Sequence, residues 1–221
     1  MATRNVFSEE LSRLRQDVLT MATKVEENLG KALTALRTRN AELAKEVRAN
    51  DADVDALQIR IEDDAAILIA TQQPVARDLR EMVTIFKLTS NIERVGDHAV
   101  HLARAAKKLA KSENSPFMVQ GHLETMAAIE QEMIRAAISA FMAQDAQAAR
   151  EVAALDHKID AEHKTLTEDI LKQMKKNPDM IKDALQLIHT STQLERLGDH
   201  ITNICEAVIY MIEGKHEELN E

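Results

Sequence analysis

The sequence predicts an all-α protein built from two copies of a three-helix unit, and three observations lead to this prediction. A six-position motif, Glu-Arg-(apolar)-Gly-Asp-His, occurs once in each half of the 221-residue chain, at residues 93–98 and 195–200. Only five Gly and three Pro interrupt the chain, which indicates few and long elements. Aromatic residues make up 2% of the composition, so the core must be aliphatic, as in helix–helix packing.

Three long helices are predicted in the first half. Apolar residues recur at alternating spacings of three and four, which is the period of one helix face. Ser8 is the predicted cap of the first helix and Asn40 that of the second, which ends at Pro74 because proline cannot continue a helix. The predicted ranges are about 7–37, 40–73 and 75–109.

The second half repeats this plan. Asp145 is the predicted cap of the fifth helix, Pro178 breaks the chain before the sixth, and Gly214 is its predicted stop. The predicted ranges are about 117–143, 145–176 and 179–213. The segment 112–116, Ser-Glu-Asn-Ser-Pro, is the strongest loop signal, and it divides the chain into predicted domains 1–113 and 114–221.

Paired carboxylates four residues apart lie on two helices of each half, at a spacing that stacks them on one helix face. Their phase relative to the apolar residues points them away from the bundle core. Asp51 and Asp97 each lie 23 residues from Pro74, so antiparallel helices would bring them to the same height. The predicted clusters are Asp51, Asp55, Glu93 and Asp97 in the first half, and Asp156, Asp160, Glu195 and Asp199 in the second.

Like charges at this spacing repel by about 0.2–0.5 kcal/mol per pair, and a bound cation would offset the repulsion. Carboxylate oxygens select Mg, Mn, Ca or ferric iron, and they bind zinc only weakly. Because Cys205 is the only cysteine, no thiolate metal site is available. His98 and His200 are either outer ligands or surface residues, and Gly96 and Gly198 indicate close approach of a helix or ligand. The alternative is an ordinary solvated acidic face.

Composition and motifs exclude several classes of protein. A formal net charge of −9 without a long basic run argues against a nucleic-acid binder or a protein that binds acidic membranes. The sequence has no secretory signal and no apolar run of the roughly 18 residues that a membrane span needs, so a cytoplasmic protein is expected. No phosphate-binding loop, nucleophile elbow or metalloprotease motif appears, so an enzyme is not expected.

Residues 73–80, Gln-Pro-Val-Ala-Arg-Asp-Leu-Arg, lead into the first motif, and Asn-Ile-Cys-Glu at 203–206 follows the second. In these features the chain resembles the PhoU family over about residues 7–214. The resemblance implies two tandem three-helix bundles related by a pseudo-twofold axis. It also implies surface metal clusters, of iron or other divalent ions, at the eight carboxylates named above. Residues 177–185, which precede the second motif, do not repeat the full sequence of residues 73–80, so whether the two sites are equivalent stays open.

The functional role is likewise implied by the resemblance. Members of this family restrain phosphate uptake and phosphate-starvation signalling. They act between the ATPase subunit of the phosphate ABC transporter and a sensor histidine kinase, and a homodimer is expected. Contact with the membrane would be indirect, through these partners. Two alternatives stay open, namely a metal-dependent phosphohydrolase that uses the carboxylate clusters and a purely structural helical adaptor.

Overall fold

The computed structural model describes residues 2–110 and 120–220, and this part of the chain contains helices and short connections without strands. A 3₁₀ turn at Pro178–Met180 precedes the last helix. The helices are α1 Ala2–Thr38, α2 Ala41–Gln72, α3 Arg77–Leu109, α4 Gln120–Ala143, α5 Ala146–Ala153, α6 Asp156–Lys176 and α7 Ile181–Glu213. The predicted loop at 112–116, the boundary after residue 113 and the helix start at Phe117 lie outside the described residues.

The helices form two bundles, as predicted for the all-α class. In the first bundle α1, α2 and α3 contact one another, and in the second α4, α5 and α6 pack with α7. The two bundles join mainly along α3 and α7, the helices that carry the repeated motif, and α1 also contacts α4. Aliphatic side chains of every helix form the core. None of the helices in the described ranges has an apolar stretch long enough to cross a bilayer.

Most predicted helix ends are confirmed by their hydrogen bonds. The side chain of Asn40 accepts hydrogen bonds from two backbone N–H groups at the start of α2, and Asp145 accepts one at the start of α5. Gly214 ends α7 in the left-handed conformation, at φ 72°. The prediction that Ser8 caps the first helix is wrong, because α1 begins at Ala2 and no helix-breaking residue precedes Ser8.

The predicted fifth helix is interrupted in the structure. Ala154 and Leu155 form a turn between α5 and α6, whereas the corresponding α2 of the first bundle is continuous. No Gly or Pro marks this break, so the residue pattern contained no signal for it. Asp156 is the first residue of α6 after this break, and its side chain is buried.

Candidate metal site

The first acidic cluster is formed where α2 and α3 run side by side. Asp51 and Asp55 lie on α2, and Glu93 and Asp97 lie on α3. Burial raises the pKa of Asp51, and the negative charges of Asp55 and Asp97 raise it further. The pKa of Glu93 is raised by burial and then by Asp97, with smaller contributions from both α2 acids. The four carboxylates therefore lie within electrostatic reach of one another, as the sequence predicts.

Arg94 offsets part of the repulsion in this cluster. Its guanidinium lies 3.3 Å from Asp97 Oδ2 and 3.7 Å from Glu93 Oε2. The Arg94 side chain is 58% exposed, so each ion pair contributes about 0–1 kcal/mol. This arginine does not cancel the excess negative charge.

The second acidic cluster has the same four positions on α6 and α7. Burial raises the pKa of Asp156 to about 7, and the charges of Asp160, Asp199 and Glu195 add to the increase. The pKa values of Glu195 and Asp199 are also raised, in each case first by burial and then by neighbouring acids. The four carboxylates of the second half thus also lie within electrostatic reach of one another across two helices.

The prediction that all eight carboxylates face outward is wrong for Asp156. Seven of them are half-buried or exposed, whereas Asp156 is 8% exposed. Asp156 lies against α7, where a Cβ on Gly198 would collide with Asp156 Oδ1. At Gly96 the matching Cβ would be 3.8 Å from Asp51 Oδ1, an ordinary contact. The close helix approach predicted at both glycines is therefore present, and it is tighter in the second half.

The carboxylates fit a hard cation in their chemistry. Asp156 Oδ1 is buried and has no hydrogen-bond partner among the described residues, and such an orphaned oxygen is a candidate metal ligand. In residues 2–110 and 120–220, no three His, Cys, Asp or Glu side chains are already arranged around one point as a metal site. The assignment of the eight carboxylates as ligands therefore stays a prediction.

The histidines of the motif lie between α3 and α7. Gln193 Oε1 lies 3.0 Å from His98 Nδ1 and 2.7 Å from His101 Nδ1, and the His98 and His200 rings are 5.4 Å apart. Burial lowers the pKa of His98 to about 4, so this ring is neutral at pH 7. Of the two predicted roles, a surface position is wrong for His98, which is 8% exposed. Sequence reasoning missed Gln193, although it lies only two residues before the first residue of the second motif.

The PhoU domain model matches residues 18–106 and again residues 123–208. The chain belongs to the PhoU family. The two matched segments include all eight carboxylates, four in each PhoU domain. The resemblance stated on the motif residues is therefore confirmed over most of the chain.

Relatives in the family align with nearly the whole chain. A Pseudomonas putida protein described as a phosphate-specific transport system accessory protein PhoU homolog is 36% identical over 210 residues, covering 94% of this chain and 81% of that protein. The phosphate-specific transport system accessory protein PhoU of Escherichia coli is 30% identical over 209 residues, covering 95% of this chain and 86% of that protein. Neither name describes an enzyme.

Solved PhoU structures have the same fold. The crystal structure of PhoU from Pseudomonas aeruginosa superimposes with a TM-score of 0.91 at 33% identity, covering 95% of this chain and all of that one. The phosphate transport system regulatory protein PhoU from Streptococcus pneumoniae gives a TM-score of 0.89 at 30% identity, with 96% and 99% coverage. The predicted architecture of tandem three-helix bundles is thereby confirmed.

Proposed function

We propose that this protein is a non-enzymatic regulator of phosphate transport that works as a metal-binding helical adaptor. The observation that carries the proposal is membership of the PhoU family along nearly the whole chain, with relatives named as accessory or regulatory proteins of phosphate transport. The absence of a catalytic motif in the sequence is in keeping with this role. Regulation would then depend on which surfaces the bundles present to partners.

In this proposal each acidic cluster holds one or more hard cations, such as iron, manganese or magnesium. The ligands would be Asp51, Asp55, Glu93 and Asp97 in the first half and Asp156, Asp160, Glu195 and Asp199 in the second. A bound cation would neutralise carboxylates that repel one another and that burial makes costly to ionise. The support is the electrostatic proximity of the four carboxylates in each half and the orphaned oxygen of Asp156.

The proposed partners are the ATPase subunit of a phosphate ABC transporter and a sensor histidine kinase, both met on the cytoplasmic side of the membrane. A homodimer is also part of the proposal. The long helices offer extended lateral faces, and several large apolar side chains are exposed on them, including Ile59, Ile67 and Leu185. Metal ions would set the charge of the acidic face beside such contacts.

The test is a deletion strain grown at high and low phosphate. Loss of the protein should leave phosphate uptake and starvation signalling unrestrained at high phosphate, and the intact gene should restore repression. A gene encoding Asp97→Asn with Asp199→Asn should restore it only in part, because one ligand of each cluster is lost. Normal repression in the deletion strain would contradict the regulatory role, and full restoration by the double variant would contradict the metal part alone.

A further inference from the structure

A fifth carboxylate lies inside the second bundle, beneath the acidic cluster. Glu130 of α4 is 0% exposed, and neither of its carboxylate oxygens has a hydrogen-bond partner among the described residues. An ionised carboxylate is rarely buried without a cation or several hydrogen bonds, because desolvation disfavours the charge. Glu130 therefore needs either a proton or a positively charged partner.

Comparison of the two halves shows that this carboxylate has no counterpart in the first bundle. The apolar stripe of α1 and that of α4 match at an offset of 105 residues, and Val25 stands where α4 has Glu130. Val25 is fully buried and lies against Gly96, with Cγ2 3.6 Å from a Cβ built there. The other matched positions are buried and apolar in both helices: Val18 and Leu123, Met21 and Met126, Leu29 and Ile134, Ala32 and Ala137. Glu130 is thus an exception in a stripe that is otherwise core.

One acidic group from another helix, Asp156 of α6, acts electrostatically on Glu130. The charge of Asp156 adds to the burial that raises the pKa of Glu130, so the two carboxylates lie within electrostatic reach. Asp156 Oδ1 is also buried and unpartnered. Thr202 of α7 is fully buried, and its hydroxyl is near enough to lower the pKa of Asp156 although it completes no hydrogen bond of normal geometry. Buried oxygens of α4, α6 and α7 that lack hydrogen-bond partners among the described residues are thus related to one another through Asp156.

We propose that Glu130 and Asp156 bind a divalent cation inside the second bundle, with the Thr202 hydroxyl as a neutral ligand. The inference rests on the proposed function in one respect, since Asp156 belongs both to this interior site and to the second acidic cluster. Two carboxylates balance the charge of one divalent ion, and carboxylate and hydroxyl oxygens favour hard ions such as Mg²⁺ or Mn²⁺. The absence of a side chain on Gly198 leaves room for Asp156 to turn inward.

This interior site makes the two halves unequal. The first cluster has no fully buried ligand, so an ion held there would exchange more readily with solvent. In the second half, an ion held by Glu130 would join α4 to α6 and α7 and would be released only when the bundle opens. The second half should therefore bind its cation more tightly, and this binding should stabilise the fold.

Mn²⁺ is the probe, with the full-length protein first stripped by EDTA. Binding is counted by electron paramagnetic resonance of free Mn²⁺, and thermal unfolding is followed with and without Mn²⁺. The test variants are Glu130→Gln, which keeps the shape, and Glu130→Val, which installs the residue of the first half. The control, Glu93→Gln with Asp97→Asn, removes ligands of the first cluster only.

We expect both Glu130 variants to weaken the tightest Mn²⁺ site at least tenfold and to lose most of the Mn²⁺-induced rise in Tm. The control should keep that rise. Without metal, Glu130→Val should unfold at a higher temperature than the wild type, because it removes an unpartnered buried carboxyl. A cooperative unfolding transition at that temperature would also show that the variant folds.

Two results would overturn the inference in distinguishable ways. If both Glu130 variants keep the wild-type affinity and Tm rise, Glu130 is simply a buried protonated acid, and the surface metal sites of the proposed function still stand. If the wild type itself binds no Mn²⁺ and its Tm does not respond, both the interior site and the surface sites are wrong.

Discussion

At the scale of single residues, this protein contains carboxyl groups that the fold makes costly to ionise. Asp156 is the clearest described case, because burial and three neighbouring acids raise its pKa to about 7. At neutral pH the metal-free protein must therefore either ionise a poorly solvated group or hold a proton there. A cation removes this conflict, since it favours the ionised form.

The raised pKa of Asp156 predicts that metal-free stability falls as pH rises from 5 to 7.5. The native state retains a proton that the unfolded state has already released, so deprotonation favours unfolding, by on the order of 2 kcal/mol over this range. His98 acts in the opposite direction, since its pKa is lowered to about 4 in the native state. As pH falls, the unfolded state binds a proton at this ring before the native state does, so His98 lowers the stability at low pH. The measurement is therefore the difference in free energy of unfolding between Asp156→Asn and the wild type, in EDTA. As pH rises, Asp156→Asn should become more stable relative to the wild type. A stability difference that does not change with pH would contradict the prediction.

The two motif glycines provide a matched pair of substitutions. Gly198→Ala should destabilise the protein by about 1–3 kcal/mol, because the new Cβ would collide with Asp156 and lie 3.1 Å from Ile159 Cδ1. Gly96→Ala meets only ordinary contacts, so the gain in helix propensity should make it neutral or stabilising by up to about 1 kcal/mol. Urea unfolding of both variants checks this. Equal effects at the two positions would mean that Asp156 does not lie against Gly198.

At the scale of the helices, a buried ion pair connects α1 to α3. Arg15 Nε lies 2.5 Å from Glu81 Oε1 and its second nitrogen 2.8 Å from Oε2, a two-point contact with a Glu81 side chain that is 4% exposed. Pairs of this kind hold one register between helices, because sliding by one turn would leave a buried charge without its partner.

Removing one partner of this pair should strongly lower the free energy of unfolding. Glu81→Ala leaves the half-buried Arg15 unpaired and should cost about 3 kcal/mol. The control is Asp64→Ala, which removes one of the two acidic partners of Arg13. Because the Arg13 side chain is 57% exposed, this change should cost under about 1 kcal/mol. Chemical denaturation of the two variants side by side gives the comparison. Similar losses would show that the Arg15–Glu81 pair is no stronger than a surface pair.

At the scale of the whole molecule, the two bundles meet through the helices that carry the repeated motif. The His98 and His200 rings lie close together at this contact, and Gln193 of α7 hydrogen-bonds to histidines of α3. Each acidic cluster thus lies beside the surface where the two halves join. Events at one cluster have a short structural path to the other through α3 and α7.

Metal removal should lower the stability of the whole protein. A cation present at 100 times its dissociation constant stabilises the native state by about 2.7 kcal/mol per site, if it does not bind the unfolded chain. Addition of EDTA should therefore lower the Tm of metal-loaded protein. The variant Asp97→Asn with Asp199→Asn should show a smaller change. A Tm that is indifferent to EDTA in the wild type would indicate that the clusters are solvated acidic faces without a metal.

Much of the fold could be predicted from the sequence because its signals are local. The period of the apolar residues, the capping side chains Asn40 and Asp145 and the scarcity of Gly and Pro determine long helices whatever their partners are. The repeat of the motif at residues 93–98 and 195–200 determined that two similar units exist and which helix of each carries the acids. The grouping of four carboxylates in the first half followed from the equal distances of Asp51 and Asp97 to the break at Pro74, and the repeat extended this prediction to the second half.

Only the tertiary structure decided which carboxylates are buried. The turn before Asp156 has no sequence signal, and α5 and α6 on either side of it both pack on α7. In the sequence, Glu130 is indistinguishable from the other acidic residues on helices. Its burial depends on neighbours that are far away in the chain. Helix formation depends on interactions within a few residues, whereas solvation and charge depend on every group brought into contact. For this reason the sequence by itself determined the helices and the acidic motifs, and the difference between the two halves emerged only from their packing.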